Sequence, residues 1–441
     1  GSLTCGAGQL AKWNGATWVC APDLDTDTLS GLSCATWQIP KWNGSIWECN
    51  YDWDTLYNLG CSATQIPKHN GSIWVCAEDA DTTYNLGPGL VLDGGTIRVD
   101  PAEFATQITT IDVTGTVDSD HFSLAIGADG LGLIAYYDSA AQLLRVAHCL
   151  NPTCTGVEVN TLDSTPTAGM YPSVAIGTDG LAVISYWAGP AADNLKVAHC
   201  DNLSCSSATI QSISAQCGRH SSIAIGSDGF PLIAYNSSYN LFEVAHCLDI
   251  ACSAVEFGVP GFPLAEHISL AIGADGFGLI VFAYYWGESY YVAHCENLNC
   301  SVATVSLLAH SNTRSFDPGC SITVGTDGLG VIAYNEVDGG RLQVVRCDDD
   351  FCTTFSGPQT FSFLYYSPVI LGVNERPLFV IGGSNGEVIR CIDQSCLRYD
   401  TTATDIETYG ELSAAKGPNG RVLVAYVDGS KLRVARLPVG Y

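Results

Sequence analysis

The feature that most restricts this chain is a motif that returns every 45 to 52 residues from about residue 105 to the end. Its core is S-[LVI]-A-I-G-x-D-G-x-x-[LV]-I-[AS]-Y, then a polar turn, then [LK]-V-A-H-C-x4-C. The first copy opens on Ser123-Leu124-Ala125-Ile126-Gly127-Ala128-Asp129-Gly130 and closes on Val146-Ala147-His148-Cys149. A period of this size means units that bury their apolar faces only against one another. Asp-Gly or Asn-Gly marks a hairpin at Asp129, Asp179, Asp228, Asp275, Asp327 and Asn419, while the sixth copy carries Asn374-Glu375 there. These dipeptides tolerate the positive φ angles of a type I′ turn. Their flanks are short, apolar and β-branched, and so read as strands.

Each copy therefore gives an inner strand, a hairpin, a second strand ending in Tyr, and a third ending at His-Cys. An outer strand follows, such as 157–162 in the first copy. Four-stranded units repeated around an axis form a β-propeller. Inner strands are expected near Ser123, Ser173, Ser222, Ser269, Ser321, Ser367 and Ser413, which makes seven blades. The last copy holds only three strands, and the segment TQITTIDV at 106–113 matches the missing fourth. It is expected to close the ring on the final blade, which removes the edges that an open sheet offers to other chains. The predicted fold is thus all-β: a seven-bladed propeller over 105–441, a linker over 83–104, and disulfide-stapled hairpin repeats over 1–82.

Twenty Cys in 441 residues suit an oxidising compartment. Cys5–Cys20, Cys34–Cys49 and Cys61–Cys76 are each 15 apart in sequence. Cys149–Cys154, Cys200–Cys205, Cys247–Cys252, Cys295–Cys300, Cys347–Cys352 and Cys391–Cys396 are each five apart. Metal sites would want C-x2-C spacing with four ligands, so local disulfides are the expectation. The short loops limit each blade disulfide to about 2 kcal/mol, and its expected use is to pin the outer strand. Cys217 and Cys320 remain, entering the third and fifth inner strands, and could bond across the channel or to another subunit.

The N-terminal repeat is different. Its three copies centre on Trp13-Asn14-Gly15-Ala16-Thr17-Trp18, Trp42-Asn43-Gly44-Ser45-Ile46-Trp47 and His69-Asn70-Gly71-Ser72-Ile73-Trp74, each followed by Asp-x-Asp (Asp25/Asp27, Asp52/Asp54, Asp79/Asp81). Asn-Gly between aromatic flanks signals a hairpin. Units of this size need staples or partners to stay folded. Trp13, Trp18, Trp42, Trp47, Trp53 and Trp74 are the candidate interface residues, since exposed aromatic patches mark interaction surfaces. The run W-N-G-S-x-W-x-C…D-x-D-T-x-Y-x-x-G-x-G-L-x-L-x-G, from Trp42 to Gly94, resembles repeats of bacterial surface and phage-tail-like fibre proteins. The propeller repeats resemble those of bacterial secreted repeat proteins. Both resemblances imply an extracellular or cell-surface setting, often multimeric and adhesive or filamentous, and neither implies an enzyme.

Composition narrows the partners. There are 45 Asp+Glu against 18 Lys+Arg, a net charge of −27, which repels phosphate backbones and argues against nucleic acid. No apolar run approaches the ~18 residues of a membrane span. The absence of an initiator Met is read as processing.

Two sets of residues could carry chemistry. His148, His199, His246 and His294 precede the blade Cys, with Arg346, Arg390 and Arg436 in the later copies. They are expected to cap the ends of their own strands rather than to form a ring around an anion. The second set lies two residues before each inner-strand Ser: His121, Tyr171, His220, His267, Gly319, Tyr365 and Glu411. Loops entering the inner strands crowd one mouth of the channel, so these groups should converge there, with Asp120, Arg219 and Glu266 beside them. That is the default pattern of a ligand site. A transition metal on His121, His220 and His267 is a less favoured alternative. The Asp-x-Asp-Thr stretches lack the full loop and closing Glu of a calcium site and fit turn capping.

No cofactor is expected, and no nucleophile elbow or H-E-x-x-H zinc motif occurs. The leading expectation is a non-enzymatic structural subunit of a surface filament, fibre or sheath, self-assembling through its N-terminal repeats. A glycan-binding adhesin using the mouth, and a polysaccharide lyase or hydrolase with His220 or His267 as base, are the alternatives.

Overall fold

The computed structural model describes eight strands within residues 1–99. It also describes residues 106–441 apart from 112–114, 215–217, 238–241, 263–264, 285–288, 311–318, 336–340, 362–367, 373–374, 384–385, 409, 419 and 438–441. Two compact units emerge: Gly1–Gly87 with Val91–Arg98, and Pro88–Leu90 with Val99–Tyr441.

In the first unit the three repeats form antiparallel hairpins, Gln9–Trp13 with Trp18–Pro22, Gln38–Trp42 with Trp47–Tyr51, and Gln65–His69 with Trp74–Glu78. Their registers place Trp13 opposite Trp18, Trp42 opposite Trp47 and His69 opposite Trp74. The Asn-Gly turns, Trp53, and Cys5, Cys34 and Cys61 lie outside the described residues. Cys49 and Cys76 are disulfide-bonded.

The second unit is a ring of seven four-stranded antiparallel sheets. Blade 1 comprises Val117–Ile126, Gly132–Asp138, Leu143–Cys149 and Val157–Asp163. Blades 2 to 6 follow in sequence from Met170–Ile176, Arg219–Ile225, Ala265–Ile272, Cys320–Val324 and Val369–Leu371, each pairing its strands in chain order. Blade 7 holds Leu412–Lys416, Val422–Asp428 and Lys431–Arg436, and takes Gln107–Thr110 as its outer strand. The register is Arg433↔Thr110 through Arg436↔Gln107, so the expected closure is the observed one.

The second strands are buried end to end in all seven blades, apart from a half-buried terminal residue in two of them. Their sequences read as continuous apolar runs because a neighbouring blade covers each face. Accordingly each core cluster spans two blades: Leu133, Ala135 and Val146 of blade 1 pack with Val174, Ile184 and Tyr186 of blade 2. Leu124, Ile134 and Tyr136 pack with Leu423, Ala425 and Val434, closing the core as well as the sheet. The outer strands, half exposed, face solvent.

A serine joint fixes each blade to the next. The N–H of Val174 donates to Ser123 Oγ at 3.2 Å, Ile223 to Ser173 at 3.2 Å and Leu270 to Ser222 at 3.0 Å. Ile322 donates to Ser269 at 3.2 Å, Val369 to Ser321 at 3.1 Å, and Leu124 closes the circle on Ser413 at 2.9 Å. The donor Val369 sets the register of the sixth copy one residue later than the Ser spacing suggests. Pro368, not Ser367, therefore occupies its joint position, and the step from blade 6 to blade 7 has no hydroxyl there.

The Asp-Gly hairpins differ from the type I′ expectation. Gly130 N–H donates to Gly127 O at 2.9 Å and Gly127 N–H to Leu131 O at 2.8 Å, giving a three-residue loop. Gly130 sits at φ 78°, while Asp129 is not among the left-handed residues. One positive φ, carried by the glycine, suits the type I turn with an αL residue that three-residue hairpins use. Asp129 is thereby free to bridge two strands. Its Oδ1 accepts the Leu131 N–H at 3.0 Å, and its Oδ2 lies 2.8 Å from His148 Nε2 on the third strand. The same bridge recurs as Asp179–His199 at 2.8 Å, Asp228–His246 at 2.7 Å and Asp275–His294 at 2.7 Å, with Arg346 on Asp327 in blade 5. These His and Arg side chains secure the hairpins of their own blades, and the expected strand-end role is sharpened accordingly. In blade 6 the pattern changes: Glu375 pairs with Lys416 of blade 7 at 2.6 Å, and Arg390 meets Thr402.

All six blade Cys-x4-Cys pairs are bonded, with Cα–Cα distances from 4.7 to 5.0 Å. In each, the second Cys is left-handed, from φ 49° at Cys352 to 55° at Cys396. An Asn or Asp early in the loop accepts a backbone N–H just beyond it, as Asn297 does from Ser301 at 3.0 Å.

Candidate functional site at the channel mouth

Every inner strand starts at one end of the channel and runs to its hairpin at the other. The residue two before the joint position therefore lies at the mouth. At three of these positions the chain leaves the strand conformation: Tyr171 has φ 49°, His220 φ 51° and His267 φ 47°. The pairing with the second strand shifts register at the same places, between Met170 and Ser173, Arg219 and Ser222, and Glu266 and Ser269. These are β-bulges, devices that re-aim a side chain. A non-glycine residue in the left-handed region costs about 1–2 kcal/mol, so a gain elsewhere must hold it there.

The gain is an arc of rings. His121 and Tyr171 have centroids 4.5 Å apart, Tyr171 and His220 4.3 Å, and His220 and His267 5.3 Å. His267 then reaches over the axis, its Nδ1 lying 3.5 Å from Glu411 Oε1 of the seventh blade. His121, Tyr171, His220, His267 and Glu411 thus converge as expected; Gly319 carries no side chain, and Tyr365, like position 366 to which the Pro368 joint moves the sixth copy, lies outside the described residues. The cavity beneath them measures about 320 Å³ and is walled by the joint serines. Its size is at the lower end of small-molecule pockets.

The arc controls charge. Burial first, then the positive charges of His267, His121 and Arg219, push the His220 imidazole down to about 3. It is neutral at physiological pH, with one nitrogen donating and one accepting. Burial raises the Glu266 carboxyl. The metal alternative is not assembled, because the Tyr171 ring stands between His121 and His220. Among the described residues no three His, Cys, Asp or Glu groups are placed to share an ion.

Cys320 is a free thiol, 2% exposed, donating to the His267 carbonyl at 2.6 Å. Burial followed by the Glu411 charge raises it far above the ordinary thiol range, which leaves it inert. Within the chain Cys320 forms no cross-channel disulfide, which corrects that expectation; Cys217 lies outside the described residues.

Two participants escape a reading based on the Ser repeat alone. Trp187 ends the second strand of blade 2 with its ring 6.3 Å from Tyr171, and Arg219 stacks on it with Cζ 4.5 Å from the ring centroid. Tyr137, at the equivalent place in blade 1, is 5.9 Å from His121. The available signal was antiparallel pairing, which brings the end of every second strand back to the mouth.

No protein-family model and no curated protein matches the chain. Among solved structures, a fungal alcohol oxidase in complex with copper aligns at 10% identity with a TM-score of 0.52, covering 75% of each chain. A periplasmic gluconolactonase of Pseudomonas aeruginosa aligns at 12% identity and 0.48, covering 67% of this chain and 88% of that one. A protein of unknown function from Dyadobacter fermentans aligns at 12% identity and 0.46, covering 75% and 98%. Such likenesses are of fold.

Proposed function

We propose that the chain is a non-enzymatic extracellular protein that binds a glycan in the channel mouth of its propeller. The observation that carries this reading is the bulged arc Tyr171, His220 and His267, three strained positions that aim rings into one polar cavity. Aromatic faces stack on the apolar faces of sugars, and neutral imidazole, carboxylate and serine groups meet hydroxyls with donors and acceptors. Six blade disulfides support a setting outside the reducing cytosol. The test is a glycan array on the full chain and on Tyr171→Ala and His267→Ala. Binding weakened at least tenfold by both substitutions is expected. No binding, or binding indifferent to both, overturns the reading, and turnover of a bound glycan would reassign the site to a lyase or hydrolase.

A second reading, self-assembly into a surface filament through the N-terminal repeats, draws on the isolated two-stranded hairpins that pair Trp13 with Trp18 and Trp42 with Trp47. A lone two-stranded hairpin is marginal in water and gains from being covered by a partner. Electron microscopy of native material decides it: regular filaments of propeller-sized beads are expected, and dispersed single particles at all concentrations reject it.

A further inference from the structure

We infer that the mouth selects an acidic sugar, with Arg219 binding the ligand's carboxylate. This inference rests on the glycan-binding reading and names the substrate class of that same site.

Arg219 occupies the first position of the third inner strand, beside His220 and exposed to solvent. Its Cζ lies over the ring of Trp187, 4.5 Å from the centroid; Trp187 is itself 5% exposed and fixed by donation from Nε1 to Asp193 Oδ1 at 3.2 Å. A guanidinium packed over an aromatic ring keeps its edge of N–H donors to offer a ligand. Among the described residues, no hydrogen bond or ion pair takes up that edge. The contrast with other arginines of this acidic chain is direct: Arg145 pairs with Asp138 at 3.2 Å and Arg433 with Asp428 at 2.8 Å.

The geometry favours a carboxylate. Arg219 sits over the buried Trp187 ring beside the arc, exposed and with no protein carboxylate paired to it among the described residues. A guanidinium fork meets two carboxylate oxygens at once. The net charge of −27 does not forbid this, because salt screens charges beyond about 8 Å at physiological ionic strength. Of the nearby acids, Asp193 accepts from Trp187 Nε1 and Glu411 faces His267.

The experiment is titration calorimetry of the full chain with oligomers of galacturonate, glucuronate and mannuronate, each beside its methyl ester, which keeps the shape and removes the charge. At least one acid should bind tenfold or more tightly than its ester. Arg219→Gln should erase that difference, lowering acid affinity to that of the ester, and Arg219→Lys should recover only part of it. An unchanged thermal midpoint shows that both variants are folded. Esters binding as tightly as acids, or an acid preference surviving Arg219→Gln, overturns the inference while leaving glycan binding in place. Sulfated neutral oligosaccharides binding as tightly as uronates overturns the carboxylate assignment. Failure of every glycan, acidic or neutral, overturns both.

Discussion

The two ends of the propeller treat the same repeat in opposite ways. At the hairpin end the blades agree: blades 1 to 4 bridge Asp to His, blade 5 bridges Asp to Arg, and blades 1 to 6 carry the same disulfide loop. At the mouth end the equivalent positions hold His121, Tyr171, His220, His267, Gly319 and Glu411. A repeated interaction at one end and varied chemistry at the other separates what holds the ring together from what it can recognise.

The largest expected effect lies at the uniform end. Each six-residue Cys loop contributes about 2 kcal/mol, so reducing all six removes on the order of 10 kcal/mol. That is comparable with the whole net stability of a domain. Calorimetry with and without reductant should show a collapse of the thermal midpoint, whereas a small shift would mean that the sheets alone carry the ring. Next comes Asp275→Ala, which strips Phe277 N–H and the buried His294 of their acceptor. A cost of about 2–3 kcal/mol in denaturant unfolding is expected.

The mouth should matter less to stability, and its contribution should depend on pH. His220 has a folded-state pKa lowered to about 3 from 6.5, so the unfolded chain takes up its proton first as pH falls. Its contribution is complete above about 6.5 and erodes on acidification towards 3. His220→Gln should flatten the stability profile in that window, by an amount reduced by water in the mouth. Ser222→Ala deletes one joint acceptor and should cost about 1 kcal/mol. The smallest effect is expected from Tyr171→Gly, where relief at φ 49° offsets lost ring contacts. Stability should stay within about 1 kcal/mol while glycan affinity falls at least tenfold. A large destabilisation would break the division between the two ends.

The blade architecture was legible because it is written seven times. Apolar runs such as Gly132–Asp138 had to be second strands, and 106–113 had no partner except the three-stranded last copy. The mouth was legible in position, since any residue two before the joint must enter there. Its aim was not, because the bulges at Tyr171, His220 and His267 are a backbone choice that no residue type demands. The sixth copy misled by one residue, since Ser367 stands beside Pro368 and only the donation from Val369 distinguishes them. Trp187 was hidden because its role depends on cross-strand proximity rather than on a repeated letter.

The serine joint has a consequence for how such a ring can change its number of parts. Each copy presents a hydroxyl to the following copy and an amide to the preceding one, so the coupling is head to tail and every unit carries both fittings. Inserting or excising a whole unit leaves neither fitting unmatched, and the ring can be cut and resealed at any joint in the same way. Pro368 is the exception: it carries the amide side through Val369 but no hydroxyl, which makes the following boundary the one place where the direction of coupling is interrupted.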